Sequence, residues 1–554
     1  MSGIENRKVY CYVEPKDISY ENMDFRDLIE RRLETAPDKV LYTYTDYREG
    51  KRHEIMPIQF KKDCQAASVW IYEKGHKREH MAIMGNNSYE WIVAMFSIVS
   101  SDNVCVPVDK NLDADTLAQI IKNSDSSVLF YDKTYQEKAK IIEEKLGITL
   151  YSLDDMEQMI QEGEKLIEAG KDEGLHISLD KKAPAFIIFT SGTTGERKGV
   201  VLSQYNLISN SYLDNENVRF FCDVVILLPF HHCFGLNTAN IPHLLSGRTM
   251  HINQNMRYMY QEFQAENPEG ELIVPLLLEN YYDTLWRRIR ESGKEDEVRH
   301  KIEENRKNPE LTPAEIREMF KEELSFLGNR MYRMYTGGAP LNEIYHHGFK
   351  DFGIEILQGY GITECSPVLA NHPGGHFRSG SVGRIIPGIE VKIDNPNKDN
   401  EGEVCIRGPI VMLGYYKNEE TTKEVMEDGW FHTGDLGYID DENYLYITGR
   451  KKNLIILSNG ENVSPEEIEA QLLEIQIIKE VVVYEKDDKI AAQIFLNEEY
   501  IEKENIEEPE KLVQEKIAEL NLKSTNFRQI SIVEYRKTPF LRNSSQKIKR
   551  DSVE

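Results

Sequence analysis

FIIFTSGTTGERKGVVLSQYNL, Phe186 to Leu207, is the stretch on which the reading of this chain turns. An apolar run passes without a break into Thr190, Ser191, Gly192, Thr193, Thr194 and Gly195, with Lys198 and Gly199 close behind. Glycines let backbone N–H groups turn toward an anion, the hydroxyls donate hydrogen bonds, and one lysine supplies charge. The combination predicts a cradle for a polyphosphate. A Walker A loop needs G-x-x-x-x-G-K-[ST]; counting from Gly192, Arg197 precedes Lys198 and Gly199 follows it. A P-loop kinase or ATPase is therefore disfavoured.

On the N-terminal side, MAIMGNN (81–87), NVCVPVD (103–109) and SVLFYD (127–132) are short apolar runs separated by amphipathic stretches, the pattern of a parallel sheet in an α/β domain. Ligands of such sheets gather at the carboxyl ends of the strands. VLYTYTDYREGKRHEIMPI (40–58) reads as two strands about a Gly-containing turn, and FKKDCQAASVWIYEKG (60–75) as a helix. On the C-terminal side, Tyr281 to Leu324 is dominated by charged helix formers with a Thr312-Pro313 start signal, which predicts solvated helices covering a sheet. Beyond Gly353, IEVKIDNPNKDNEGEVCIRG (389–408) and YLYITGRKKNLIILSNG (444–460) predict an antiparallel or barrel-like β subdomain.

A new unit is expected near Gly449. NLIILSNGENV (453–463) reads as a strand pair about an Asn-Gly turn. SPEEIEAQLLEI (464–475) reads as a helix with Pro465 at its first position and a capping box between Ser464 and Glu467. Two more strands (481–496) and a helix (507–520) complete a small α+β domain. The predicted fold is α/β: a large N-terminal domain of helix-flanked sheets with a barrel-like β subdomain, followed by this smaller domain.

Composition bounds the function. The 554 residues carry 67 Lys+Arg against 94 Asp+Glu, a net charge of −27, which repels phosphate backbones and anionic lipid over most of the surface. Broad nucleic-acid binding is excluded as an expectation. The seven cysteines are scattered with no C-x-x-C pair, which fits reduced thiols in a cytoplasmic protein rather than a zinc or redox site. The first residues are charged and polar, and no uncharged run approaches the roughly 20 residues of a membrane span. No integral membrane segment is expected; peripheral membrane contact stays open.

Further segments fall in order along the chain: LPFHHCFGL (228–236), YTGGAP (335–340), QGYGITE (358–364), GWFHTGDLG (429–437) and GRKKNLIILSNGENVSPEEIE (449–469). Together with the 186–207 segment they resemble the adenylate-forming superfamily of acyl-CoA synthetases, luciferases and nonribosomal adenylation domains. VPLLLENYYDTLW (274–286) and its charged helical sequel look most like bacterial long-chain fatty acid–CoA ligases.

The resemblance implies ATP-dependent activation of a carboxylic acid, with a fatty acid of medium or long chain as the expected substrate, to an acyl-adenylate, and transfer to coenzyme A. The alternative acceptor is a carrier-protein phosphopantetheine. It implies an AMP-binding domain over residues 1–449, a hinge at 450–452 that pivots on Lys452, and a mobile lid domain over 453–554. ATP or AMP would lie against Thr190, Ser191, Gly192, Thr193, Thr194, Gly195, Lys198, Gly338, Ala339, Pro340, Gln358, Gly359, Tyr360, Gly361, Thr363, Asp435, Arg450 and Lys547. Asp435 would accept from the ribose hydroxyls, with Arg450 donating from the other side. Lys547, Thr363, Glu364 and Lys198 are the implied catalytic residues, and Glu364 with Thr193 the implied ligands of Mg2+. His232, Phe234, Gly337 and Gly338 would border the acyl group. His231 is expected to be an ordinary packed histidine whose side chain diverges from that of His232. Lys547 stands in RNSSQKIKRD (542–551), where Gln546 occupies a position that is usually Gly in the family.

Overall fold

The computed structural model describes residues 9–16, 18–47, 49–190, 197–218, 222–457, 462–524, 528–542, 548–550 and 553. Two large sheets and a smaller antiparallel one build the N-terminal part. The first sheet has seven strands in the order Gly414–Tyr415, Lys198–Ser203, Pro184–Thr190, Val104–Pro107, His80–Met84, Ser126–Tyr131, Thr149–Ser152. His80–Met84 pairs in parallel with both of its neighbours. Such strands are covered on both faces, which is why they read as continuous apolar runs rather than alternating ones.

The second sheet has nine strands, with Val224–Ile226, Gly270–Ile273, Arg333–Thr336 and Glu355–Gly361 running in parallel through its middle. The Tyr42–Asp46 and Lys51–Ile55 hairpin forms one edge. Every residue of helix Tyr89–Ser100 except Glu90 is buried, and the helix is capped at its start by Ser88, whose hydroxyl accepts from the Trp91 N–H at 3.1 Å. A helix apolar on every side belongs in an interior; Trp91, Phe96 and Ile92 join the same core as Phe186, Ile226 and Tyr42.

The segment from Tyr281 to Leu324 has solvated outer faces, as expected, and its inner face makes a second core. Tyr281, Leu285, Ile289, Val298, Ile302, Phe320 and Leu324 pack there with Met334 and Ile356 of the second sheet. The β subdomain is a six-stranded antiparallel sheet in which Val9–Tyr12 pairs with Glu390–Asp394, and Trp430–Ile439 with Leu445–Arg450.

The C-terminal part has its own core and a three-stranded sheet of Ile478–Lys486, Lys489–Leu496 and Ile530–Arg536. The strand pair Ile455–Ile456 and Asn462–Val463 is present; the Asn-Gly turn between them lies outside the described residues. Helix Pro465–Leu473 starts where expected but without the capping box. The Ser464 hydroxyl donates instead to the Thr448 carbonyl at 2.6 Å and to Glu466 Oε2 at 3.2 Å, so it ties the helix start back to the preceding strand. All seven cysteines are free and buried. Among the described residues no helix is long and apolar enough to cross a membrane.

Candidate active site

Three parallel-strand ends supply the site. Pro184–Thr190 and Lys198–Ser203 are antiparallel partners, with Thr190 opposite Lys198, so the 191–196 segment joins two paired strands. Ser191, Gly192, Thr193, Thr194, Gly195 and Lys547 lie outside the described residues. Arg333–Thr336 runs beside Glu355–Gly361 with Thr336 opposite Gln358, which sets the Gly337–Pro340 turn against the Gly359–Gly361 segment. A Cβ at Gly337 would stand 3.2 Å from the Gly359 carbonyl oxygen and 3.8 Å from Phe234 Cζ, whereas one at Gly338, with φ at +86°, would meet nothing within 4 Å. Phe234, Gly337 and Gly338 are therefore brought together.

Asp435 is the most elaborately held charge. Its Oδ1 accepts from Arg450 Nε at 2.7 Å, its Oδ2 accepts from the Tyr360 hydroxyl, and only 2% of its surface is exposed. Burial, then the Asp435 charge, pushes the Tyr360 phenol well above its ordinary value. Burial opposes the Arg450 charge, but Asp435, followed by Tyr360 and Glu364, holds the guanidinium above its usual range. Sequence reasoning placed the aspartate and the arginine on either side of a ribose; the structure joins them as a direct ion pair with Tyr360 as a third member. Each carboxylate oxygen has a second lone pair, so vicinal hydroxyls can still be accepted.

Glu364 sits in the short 3-10 turn Thr363–Cys365 and accepts at Oε1 from the Tyr415 hydroxyl at 2.9 Å. The Lys198 ammonium stands 5.1 Å from the centroid of the same Tyr415 ring. Tyr415 was not singled out from the sequence, because its contacts depend on strand pairing across some 200 residues. Lys452, expected at the hinge, follows Arg450 by two residues in the Lys451–Asn453 turn. Partial burial of its ammonium and the neighbouring Arg450, with Lys198 adding repulsion, lowers it to about 8 against the pull of Asp435 and Glu466. Lys198, Asp435, Arg450 and Lys452 thus share one electrostatic neighbourhood.

The adjacent histidines do not diverge. The backbone curls into the helical turn Phe234–Thr238, with the Leu236 N–H bonded to the His232 carbonyl at 2.7 Å, and the two rings stand 4.3 Å apart. His231 lies 3.5 Å from Asp109 Oδ1, and burial, then His232, drives it down to about 3, so it is a neutral packed ring. A second missed contributor is His372. Its N–H donates to the Gln358 carbonyl at 2.9 Å, and its Nδ1 stands 3.1 Å from the same oxygen.

Among the described residues no three acidic, histidine or cysteine side chains converge as a metal cage. A hard carboxylate such as Glu364 would suit Mg2+ of the kind that keeps phosphate and water ligands and takes one or two carboxylates. Glu364 fits that ion; Thr193, the other expected ligand, lies outside the described residues.

The family pattern "AMP-binding enzyme" matches residues 29–416, and "AMP-binding enzyme C-terminal domain" matches 452–554. The chain belongs to the AMP-binding enzyme family. It is 27% identical over 479 residues to a long-chain-fatty-acid–CoA ligase, FadD15, of Mycobacterium bovis, covering 81% of this chain and 77% of that one. Long-chain-fatty-acid–CoA ligase 6 of Mus musculus is 28% identical over 486 residues, covering 80% and 68%. The structure of ATP-bound MatB from Rhodopseudomonas palustris superposes with a TM-score of 0.74 at 23% identity, covering 96% of this chain and 98% of that one. The α/β architecture with a smaller C-terminal domain is thus the fold of adenylate-forming enzymes.

Proposed function

We propose that this protein is an AMP-forming acid–thiol ligase that converts a medium- or long-chain fatty acid to its acyl-CoA in two steps. The observation that carries the proposal is the Tyr360–Asp435–Arg450 cluster beside Lys198 and Glu364, which offers a ribose acceptor and phosphate-facing charges at one end of the strands. The fatty acid rests on the similarity to the mycobacterial and mouse ligases over about four-fifths of the chain. Unbridged, buried thiols support a cytosolic location.

In the first step a carboxylate oxygen of the acid attacks the α-phosphorus of ATP and the bond to the β-bridging oxygen breaks, giving acyl-adenylate and pyrophosphate. An anion approaching a polyanion is electrostatically uphill, so the chain must position both and neutralise charge. Lys198 and Lys547 supply cationic donors, Asp435 and Arg450 fix the ribose, and Gly338, Ala339 and Pro340 with Gln358–Gly361 border the adenine. Glu364 and Thr193 would hold Mg2+, which would supply neutralisation of phosphate charge. In the second step the coenzyme A sulfur attacks the acyl carbonyl carbon, AMP leaves with the bonding electron pair, and the thiol proton passes to solvent.

The two steps need different surroundings for one adenylate, and the hinge at 450–452 lets the 453–554 unit exchange faces about Lys452. His232 and Phe234 border the acyl group beside Gly337 and Gly338.

The test is pyrophosphate release across acids of increasing chain length, with and without coenzyme A. Each methylene buried should add about 0.8 kcal/mol until the pocket ends, so kcat/KM should climb and then level off. Preference for acetate, benzoate or an amino acid over every fatty acid would overturn the substrate; transfer to a holo-carrier protein and not to coenzyme A would overturn the acceptor.

A further inference from the structure

We propose that Tyr415 is a positioning residue of the phosphate-facing site: one side chain sets Glu364 with its hydroxyl and Lys198 with its ring, and so fixes the spacing of the acidic and basic groups. This rests on the adenylating activity proposed above and deepens it.

Two contacts from opposite parts of the ring carry the inference. The O–H donates to Glu364 Oε1 at 2.9 Å, and the Lys198 ammonium lies 5.1 Å from the ring centroid. An aromatic face attracts an ammonium through its quadrupole, and a hydroxyl bonded to a carboxylate is a charge-assisted hydrogen bond. The hydroxyl takes one lone pair of Oε1, so Oε2 and the second lone pair of Oε1 can still meet a cation.

The backbone explains why Tyr415 can do both. Residues 409–416 form a strap stitched to each of the elements that Tyr415 touches. The Met412 N–H donates to the Glu364 carbonyl at 2.8 Å; the Leu413 N–H donates to Val201 O at 2.9 Å and the Tyr416 N–H to Gly199 O at 2.8 Å. Tyr415 itself is the Cα partner of Val200, and its N–H donates to Thr422 Oγ1 at 2.9 Å. Upstream, Ser366 Oγ donates to Ile410 O at 2.8 Å, and Asn206 Nδ2 to Pro409 O at 2.7 Å. The ring is therefore delivered to a fixed place between a turn that presents a carboxylate and a strand that presents a lysine. Preorganised charge of this sort costs no rearrangement when charge develops in a reaction.

Tyr415→Phe removes the hydroxyl and keeps the ring; Tyr415→Leu removes both. ATP affinity should be measured by calorimetry in MgCl2 and in EDTA, alongside pyrophosphate exchange and thermal melting. Tyr415→Phe should lose about tenfold of the Mg2+-dependent gain in ATP affinity and about tenfold in exchange kcat, with metal-free ATP affinity, KM for the acid and melting unchanged. Tyr415→Leu should in addition weaken metal-free ATP binding by about threefold, a loss that Tyr415→Phe rescues. Combined with Glu364→Gln, the Tyr415→Phe losses should not add, which separates coupling from any shared loss of stability. Wild-type Mg2+ dependence in Tyr415→Phe, or fully additive losses, would overturn the positioning role alone. A wild-type protein that binds no ATP would overturn the adenylating activity, and this role with it.

Discussion

Asp435 and Arg450 are Cα partners on adjacent antiparallel strands, and the guanidinium Nε meets the carboxylate Oδ1 at 2.7 Å beside the Tyr360 hydroxyl on Oδ2. Register holds the pair in place: a slip of one strand by one residue would turn its member of the pair to the other face of the sheet. The carboxylate is held from two sides, so the ribose proposed for this site would meet an acceptor that needs no reorientation.

Asp435→Ala should therefore weaken ATP binding by about 1.5 to 3 kcal/mol, the range for a hydrogen bond to a charged group, and also lower stability by leaving Arg450 without its partner. Tyr360→Phe removes one bond and leaves the ion pair intact, so its loss should be about 1 kcal/mol. Calorimetric ATP titration decides it; equal affinities in wild type and Asp435→Ala would remove the ribose role.

Lys547→Ala and Lys452→Pro should fail in opposite half-reactions. If Lys547 supplies the cation proposed for it, its loss should slow adenylation by about two orders of magnitude or more, while a supplied acyl-adenylate is still converted to thioester. Proline at 452 fixes φ and blocks the pivot, so adenylate should form while thioester does not. Single-turnover assays of each half separate the two; a Lys452→Pro enzyme with normal thioester formation would place the hinge elsewhere.

Asp214 has a pH consequence. Burial raises it to about 7 against the help of its one hydrogen bond from Asn371 Nδ2. A carboxyl whose folded value exceeds its unfolded value favours the folded state fully below about pH 4 and loses that contribution as pH rises through about 7. Asp214→Asn keeps an acceptor for Asn371 and has no charge to desolvate. It should raise stability at pH 8 by on the order of 4 kcal/mol and do little near pH 4, measured by chemical denaturation at both values; an equal effect at both would show that Asp214 does not titrate in this range.

Glycines 361 and 337 should respond differently to a side chain. A Cβ at Gly361 would lie 1.9 Å from the Pro367 carbonyl oxygen, so Gly361→Ala must displace backbone and should cost both stability and ATP binding. Gly337→Ala needs a shift of only a few tenths of an ångström from the Gly359 carbonyl at 3.2 Å and should fold. Gly337→Leu should move the preferred acid to shorter chains. Chain-length profiles of the folded variants test this; an unmoved optimum in Gly337→Leu would take that residue off the acyl path.

What could be read from the sequence follows from how far each signal reaches along the chain. The strands of the first sheet announce themselves as continuous apolar runs because helices cover both faces, and Pro465 and Thr312 mark helix starts by chemistry confined to one turn. Pairing between distant segments leaves no such mark. Nothing local shows that Tyr42–Asp46 lies beside Met250–Ile252, or that Tyr360 reaches Asp435 across 75 residues. The Ser464 capping box failed for the same reason: a tertiary acceptor, the Thr448 carbonyl, took the hydroxyl that the local pattern assigned to its own helix. The two histidines parted from expectation because the side-chain divergence of neighbours belongs to extended backbone, and theirs is curled.

Val9–Tyr12 completes its sheet only by pairing with Glu390–Asp394, so Val9 waits for Ile393, about 380 residues later. At the roughly 5 to 20 residues per second of synthesis, that interval is on the order of 20 to 75 seconds. The strand is made long before the strand that it pairs with. During that interval an edge strand with unpaired N–H and C=O groups, carrying the exposed Tyr12, is open to any other edge it meets. Crowding among nascent chains, rather than the finished enzyme's stability, is where this topology is most vulnerable.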